Sequence, residues 1–185
     1  LKEILGDHVQ QAGSLVHPNY LRFDLTHFEK ITSDEICKIE SLVNREILIN
    51  SELKISIKSF DDAKKEGAIA MFGEKYGEQV RVITVAKFSK ELCGGTHVDR
   101  TGDIGFFKIV EESSLASGVR RLVAVTGPKA VEYVQNQSSI LESLKAQLNC
   151  GTDLVSERVD QLLSQKKELE KDLKKQKKTG SSFNV

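Results

Sequence analysis

The chain has 185 residues, of which 39% are hydrophobic, and its 27 basic and 27 acidic side chains cancel. This composition supports one modest domain with an appended segment and excludes a long disordered protein, and the balanced charge means that a polyanionic partner must be held by local patches. With no stretch of roughly 18 apolar residues, no charged-then-apolar leader and only three scattered cysteines, we expect a soluble cytosolic protein without a membrane span or a disulfide framework.

The first predicted elements are a helix end and a strand. Leu1, Ile4 and Leu5 are spaced like the last turns of an amphipathic helix, and the missing initial methionine indicates a chain cut from a longer one. The stretch YLRFDLT alternates apolar and polar residues, which predicts a half-buried strand. Its inward face carries three side chains: Leu21, Phe23 and Leu25.

A capped helix follows this strand. Thr32 and Glu35 have the spacing of a capping box, in which each side chain bonds the backbone of the other residue. Apolar residues then recur at steps of three and four, which predicts a helix with one apolar face. These residues are Ile36, Ile39, Val43 and Ile47.

The next segments predict more strands. LKISIK alternates, with Leu53, Ile55 and Ile57 assigned inward, and Ser59 with Asp62 predicts a short capped helical turn through Lys65. QVRVITVAKF, GFFKIVEE and VRRLVAVT are rich in β-branched residues and bring the total to about five strands. Helices and strands do not alternate regularly. We therefore predict an α+β fold, a mainly antiparallel sheet layered with helices.

The composition changes from Gly127 onward, where a helical pattern begins with Pro128 in its first turn. A later seam of heptad spacing predicts a helical hairpin or a coiled-coil contact, although the lysine within it is also compatible with a solvated helix. The seam residues are Val155, Val159, Leu162, Lys166, Leu169 and Leu173. We predict a domain over 1–127, a helical oligomerisation segment over 128–178 and a disordered tail over 179–185.

The stretch ELCGGTHVDRTGDIG, residues 91–105, is the candidate site. Cys93 and His97 are four residues apart, and the intervening Gly94 and Gly95 favour a tight loop that lets a ligand approach the backbone. Thiolate and imidazole are preferred zinc ligands, and a catalytic zinc takes about three protein ligands. By spacing alone, a buried thiol near a hydrogen-bonded histidine explains the pair without a metal ion.

Several motifs together resemble the editing domain of alanyl-tRNA synthetase. They are LGDHVQQAGSLV, RFDLTH, GAIAMFGEKYGEQVRV and the long run CGGTHVDRTGDIGFFKIVEESSLASGVRRLVAVTG, and they cover residues 1 to about 127 in order. The helices that follow are similar to the start of the family's C-terminal oligomerisation region. The resemblance implies hydrolysis of serine or glycine wrongly esterified to the alanine tRNA.

The resemblance also implies a zinc site and roles for individual residues. Family members hold zinc with a His-x-x-x-His pair and with a cysteine and a histidine that correspond to Cys93 and His97. The first pair corresponds to positions before Leu1, so we expect an incomplete zinc site and a fragment that can be inactive. Gln11, in a turn, and Thr96 are the candidate contacts to the aminoacyl group. For His8 we expect a surface or hydrogen-bonded role.

Contacts to the tRNA acceptor end are expected from basic residues. Arg120 and Arg121 are adjacent on a strand and point to opposite faces, so only one can face the pocket, and a structural salt bridge is an alternative for each. Lys75, with Tyr76, lies on a glycine-flanked loop suited to backbone approach or base stacking. We expect a cytoplasmic homo-oligomer that binds neither membrane nor DNA.

Other functions fit parts of the sequence. One alternative is a freestanding deacylase related to this editing domain, and another is a tRNA-docking or assembly module without catalysis. A structural zinc module needs four protein ligands, which the sequence does not supply. The threonyl-tRNA synthetase editing domain is the nearest enzymatic rival, and GVRRLVAVTG with the trailing helices favours the alanyl family.

Overall fold

A computed structural model describes residues 1–70 and 76–180, with side chains through Gln176. The chain divides into two compact units, Leu1–Glu132 and a second that begins at Tyr133. The predicted α+β class with antiparallel sheets is confirmed.

The described elements are five helices and seven strands. The helices are α1 (Lys2–Leu5), α2 (Ser33–Ile49), α3 (Phe60–Lys65), α4 (Gly127–Leu148) and α5 (Val155–Gly180). The strands are β1 (Gln11–His17), β2 (Tyr20–Thr26), β3 (Leu53–Ser59), β4 (Gln79–Val85), β5 (Ser89–Leu92), β6 (Phe107–Ala116) and β7 (Val119–Thr126). Short 3₁₀ turns lie at Thr101–Ile104 and Thr152–Leu154.

The first sheet has four antiparallel strands in the order β1-β2-β7-β6. Leu21 pairs with Ala124 and Phe23 with Leu122, so these side chains share the face that packs on the main core, as predicted for β2. Strand β1, which lies on the sheet's edge, was not predicted, because the overlapping stretch QQAGSLV was assigned to a turn. The buried members of the core are Leu5, Val9, Leu25, Ile31, Ile39, Ile109, Leu122 and Ala124.

Helix α2 begins and packs as predicted. The Thr32 hydroxyl accepts from the Glu35 amide at 3.3 Å, and the Glu35 carboxylate accepts from the Thr32 amide at 2.8 Å, which confirms the capping box. Its predicted apolar stripe faces the protein: Ile39 and Ile47 are buried, and Ile36 and Val43 are half-buried against the core. This packing, more than helix propensity, holds α2 in place.

Two polar side chains of α2 bond the exposed edge of β6. The Asn44 amide donates to the carbonyl of Phe107 at 2.8 Å and accepts from its N–H at 2.9 Å. Glu40 accepts from the backbone N–H of Ile109 at 2.8 Å and from the ammonium of Lys108, also at 2.8 Å. The edge strand therefore has hydrogen-bond partners on the side where no strand pairs.

The second sheet has three antiparallel strands in the order β3-β4-β5 and carries its own small core. Ile55 and Ile57 were predicted inward, and this prediction is wrong: they are 55% and 71% exposed. The reason is that α3 covers the opposite face, where Val80 and Val82 of β4 are buried against Ala63. Alternation identifies two faces without stating which one a helix covers. The capped turn itself is confirmed, since Ser59 accepts from the Asp62 amide at 3.1 Å.

The second unit is helical. Apolar side chains of α5 lie on its surface, with Leu162, Leu169 and Leu173 between 53% and 65% exposed. Pro128 sits in the first turn of α4, as predicted, and α5 continues to Gly180. None of the described helices combines the length and the apolar character that a membrane crossing requires.

The bond between α2 and β6 gives a stability prediction. We expect Asn44→Ala to lower the free energy of unfolding by about 2 kcal/mol, because both backbone groups of Phe107 lose a partner in a half-buried position. Urea titration measures this value. The matched control is Asn136→Ala on the exposed face of α4, which should change it by less than about 0.5 kcal/mol. Equal effects from the two substitutions would contradict the assignment.

Candidate functional site

The candidate site is the loop that follows β5. Leu92, the last residue of the strand, is 4% exposed and anchors the loop in the small core. The N–H of Cys93 donates to the carbonyl of Arg81 on β4 at 3.1 Å, so the strand pairing extends one residue into the loop. The thiol of Cys93 is free and half-buried, and Thr96 and His97 lie exposed on the same loop.

The side chain of Arg81 bonds this loop a second time. Its Nη1 donates to the carbonyl oxygens of Cys93 at 3.1 Å and of Gly95 at 2.5 Å. We call these contacts, with the Cys93 N–H bond to the Arg81 carbonyl, the Arg81 clamp. Arg81 was not among the site residues predicted from the sequence. The available signal was a cation in the middle of the apolar run QVRVITV.

The two glycines leave open space in the loop. A Cβ placed on Gly94 would meet no atom within 4 Å, and one on Gly95 would meet the Cys93 sulfur at an ordinary 3.6 Å. Neither glycine has a positive φ. The backbone here is therefore open to the approach of a ligand, while glycine is not required by the conformation itself.

The imidazole of His97 is biased toward its neutral form. Partial burial lowers its pKa below the ordinary 6.5, the cation of Arg81 lowers it further, and Glu91 opposes both effects. The ring is largely exposed, so solvent screens these interactions. Because only neutral imidazole binds a metal, this environment suits a ligand at neutral pH.

Zinc fits the chemistry of Cys93 and His97 but not the number of ligands that a catalytic site needs. In the part of the chain that the structure describes, no group of three or more His, Cys, Asp or Glu side chains could hold a metal ion. Cys93 and His97 therefore supply at most part of a site that takes about three protein ligands.

The remaining histidines have other contacts. His8 and His27 approach each other, with His8 Nε2 and His27 Nδ1 at 2.9 Å, and the two rings lie end to end, their centroids 5.1 Å apart. His17 stacks on Tyr20 at 4.8 Å. The hydrogen-bonded role expected for His8 is therefore present.

Gln11 belongs to the first sheet. It is half-buried at the first residue of β1, where a bulge interrupts the register with β2, and its amide donates to the Ser14 hydroxyl at 3.0 Å. Cys93, Thr96 and His97 follow the second sheet instead. Three of the four candidate site residues thus lie on the loop after β5, whereas Gln11 lies on the first sheet.

Arg120 and Arg121 point to opposite faces of β7, as predicted. Arg120 faces the core side, where its Nε donates to Glu112 at 2.6 Å and both side chains are largely buried. Glu112 also accepts from the backbone N–H of Ile31 at 3.4 Å. Arg120 therefore forms a structural salt bridge, the alternative that the sequence analysis left open.

Arg121 lies on the other face and binds Asp24 of β2 through two hydrogen bonds of 2.7 and 2.9 Å. Arg22 lies 3.7 Å from the same carboxylate. Two cations thus share the Asp24 carboxylate, and a second carboxylate, Glu111, lies close enough to interact with Arg121. Of the two predicted arginines, Arg121 is the more exposed, and it lies on the face away from the main core.

The third residue predicted to bind tRNA, Lys75, lies outside the described residues. Its neighbour Tyr76 is described, and its ring stacks on Phe60 of α3 with centroids 5.4 Å apart. Tyr76 packs beside the small core under α3. This contact favours a structural role for Tyr76 over base stacking.

Comparison with known proteins gives a consistent result. Residues 80–123 match the family model "Threonyl and Alanyl tRNA synthetase second additional domain". The chain is 50% identical over 178 residues to the alanine–tRNA ligase of Fervidobacterium nodosum, covering 96% of this chain and 20% of that protein. It is also 50% identical over 173 residues to that of Pseudoalteromonas translucida, covering 94% and 20%. The chain thus spans about one fifth of these curated relatives.

The Asp24 ion pair gives a pH-dependent prediction. The hydrogen bonds from Arg121 hold the pKa of Asp24 below its ordinary 3.8, although burial opposes them. A carboxylate with a lowered folded-state pKa stabilises the fold above its ordinary value, and this stability is lost as the pH falls through the folded-state pKa. We expect Asp24→Asn to cost about 2 kcal/mol near neutral pH, and the gap to wild type to close below pH 3.8.

Urea titrations at several pH values measure this gap. Asp160→Asn, on the exposed surface of α5, is the control and should show no gap that closes with acid. A gap for Asp24→Asn that stays constant down to acid pH would show that the ion pair with Arg121 does not stabilise the fold.

Proposed function

We propose that the chain is part of an alanyl-tRNA synthetase and that it hydrolyses amino acids wrongly attached to the alanine tRNA. The substrates of this editing reaction are seryl-tRNA and glycyl-tRNA specific for alanine. One observation carries the proposal: the matched segment, residues 80–123, contains both Cys93 and His97 on a loop fixed to β4. We also propose that the protein works in the cytoplasm, where its free thiols stay reduced.

Chemistry explains why such a reaction is needed. A pocket that admits alanine cannot strongly exclude the smaller glycine, and it rejects serine poorly because serine adds only a hydroxyl group. One extra or missing group in a pocket is worth about 1–3 kcal/mol, which is less than faithful protein synthesis requires. A second site that hydrolyses the wrong ester supplies the remaining discrimination.

We assign the site residues separate roles in binding zinc and in orienting the aminoacyl ester. Cys93 and His97 would hold a zinc ion, which when bound supplies a Lewis acid next to the ester. Thr96 lies exposed between them in sequence, where its hydroxyl can hydrogen-bond the serine side chain of the substrate. Gln11 is proposed as a polar contact to the aminoacyl group. Orientation accounts for much of the effect, because the ester is already reactive.

The proposed zinc site needs protein ligands in addition to Cys93 and His97. The resemblance places a His-x-x-x-His pair before the segment that matches LKEILGDHV, and the described residues supply no third ligand. We therefore propose that the ligands beyond Cys93 and His97 come from a neighbouring part of the full-length enzyme.

The tRNA contact is proposed at Arg121 with Arg22. Asp24 lies next to both guanidinium groups on one face of the first sheet, and guanidinium groups are suited to hydrogen-bond the phosphates of an acceptor end. Arg120 is excluded from this contact because it pairs with Glu112 on the buried face.

The first test is deacylation of seryl-tRNA specific for alanine. It compares this chain with a longer version that restores the upstream segment of its relatives. In the active form we expect Cys93→Ala to lower the hydrolysis rate by more than the roughly 10–100-fold that loss of an outer-shell partner costs at a metal site. Zinc content, measured in the same samples, should fall in parallel.

Two other cysteines provide matched controls. Cys37 is exposed on α2 and Cys150 is half-buried after α4, so replacing either by alanine should leave both rate and zinc unchanged. A Cys93→Ala variant that hydrolyses as fast as wild type would refute the proposed role of the loop.

A second function, association through α5, has its own observation. Apolar side chains at heptad positions lie on the surface of this helix, with Val159 at 38%, Leu162 at 53%, Leu169 at 65% and Leu173 at 57% exposure. Exposed apolar residues at heptad positions, here interrupted once by Lys166, favour packing against another helix. We propose that this stripe is a contact between copies of the chain.

The association is testable by light scattering after gel filtration. Leu169→Glu combined with Leu173→Glu should shift the protein from oligomer to monomer, because carboxylates cannot be buried in the seam. The control combines Ser164→Glu and Lys171→Glu, which lie on the opposite side of α5 and should leave the mass unchanged. A wild-type chain that is monomeric at every concentration would contradict the proposal.

A further inference from the structure

We propose that Arg81 is the positioning residue that holds Cys93 and His97 in a binding geometry, through the Arg81 clamp. The inference rests on the proposed function, since the loop it positions is the proposed site. Arg81 donates from Nη1 to the carbonyls of Cys93 and Gly95, and its own carbonyl accepts from the Cys93 N–H. Three hydrogen bonds to the loop backbone thus converge on one residue of a strand.

The loop needs such support because its own residues give little. Gly94 and Gly95 carry no side chains that could pack, and Thr96 and His97 are exposed. Glycine loses more conformational freedom on ordering than any other residue. Fixing one backbone residue costs about 1–2 kcal/mol, so two consecutive glycines require contacts from outside the loop to stay ordered.

An arginine meets this requirement better than other side chains. One terminal nitrogen carries two hydrogens, and here each can point at a different carbonyl oxygen. Hydrogen bonds from a charged donor are roughly twice as strong as neutral ones. The planar guanidinium is also preorganised, so it loses less freedom for each bond than a lysine ammonium.

The position of Arg81 in its strand directs it to the loop. Arg81 pairs with Ile57 of β3, so its side chain lies on the face opposite Val80 and Val82, which are buried under α3. This face is not filled by the small core. The guanidinium is therefore half-buried along the sheet surface, where it reaches the chain that continues from β5.

The test compares Arg81→Lys and Arg81→Met in metal-free protein. Lysine keeps the charge but is one atom shorter, so it cannot reach both carbonyls, and methionine removes the charge as well. All variants carry Cys37→Ser and Cys150→Ser, so that alkylation reports on Cys93 alone. We expect both Arg81 variants to react with iodoacetamide about tenfold faster and the amides of Gly94 and Gly95 to gain fast motion in ¹⁵N relaxation.

The control is Arg45→Met on the surface of α2, which should change neither readout. Amide exchange at Val80 and Val82 separates positioning from general stability, because a clamp leaves these core amides as protected as in wild type. Unchanged loop motion and alkylation in both Arg81 variants would overturn the inference. The inference would also be overturned if only the methionine variant showed faster alkylation and loop motion. The same holds if the amides of Val80 and Val82 lost as much protection as the loop.

These measurements use neither tRNA nor metal, so they are independent of the deacylation assay. If the loop depends on Arg81 but the longer version with the upstream segment shows no deacylase activity, the proposed function is refuted and the clamp is kept. An active site that tolerates Arg81→Met without loop motion would refute the clamp and keep the function.

Discussion

The register of β4 between its two neighbours is the constraint on which the candidate site depends. Alternate residues of a strand face opposite sides, so the burial of Val80 and Val82 under α3 directs Arg81 to the other face. A shift of one residue would bury a guanidinium among apolar side chains and leave the loop after β5 without its partner. The small core therefore determines the position of a polar contact on the opposite side of the same strand.

The same alternation separates the two adjacent arginines of β7. Arg120 is directed to the side of Leu122, where a largely buried carboxylate, Glu112, compensates its charge. Arg121 faces the other way and meets Asp24 across the sheet. Removing a buried partner from such a pair costs far more than the pair itself contributes, which makes Arg120 a poor candidate for exchange with a phosphate. Identical residue types at neighbouring positions thus have different roles.

The sequence predicted local features well and contacts between distant segments poorly. The capping box of Thr32 and Glu35 and the apolar face of β2 depend on residues a few positions apart, and both are present. Ile55 and Ile57 were placed on the wrong side because the covering helix α3 is short and its packing face depends on tertiary contacts. Strand β1 was missed since its glycine and serine weaken the strand pattern. Arg81 could not be assigned because its acceptors are backbone carbonyls 12 and 14 residues away, which carry no sequence signature.

The polar side chains that α2 presents to β6 have a consequence beyond holding the helix. An unpaired strand edge offers a row of backbone groups to which a strand of another molecule can add, and proteins avoid this hazard by occupying the edge. Asn44 bonds both backbone groups of Phe107 and Glu40 bonds the N–H of Ile109, so an incoming strand finds these three groups already occupied. The side chains of Asn44 and Glu40 thus protect the start of the β6 edge from pairing with another molecule while the chain is folded.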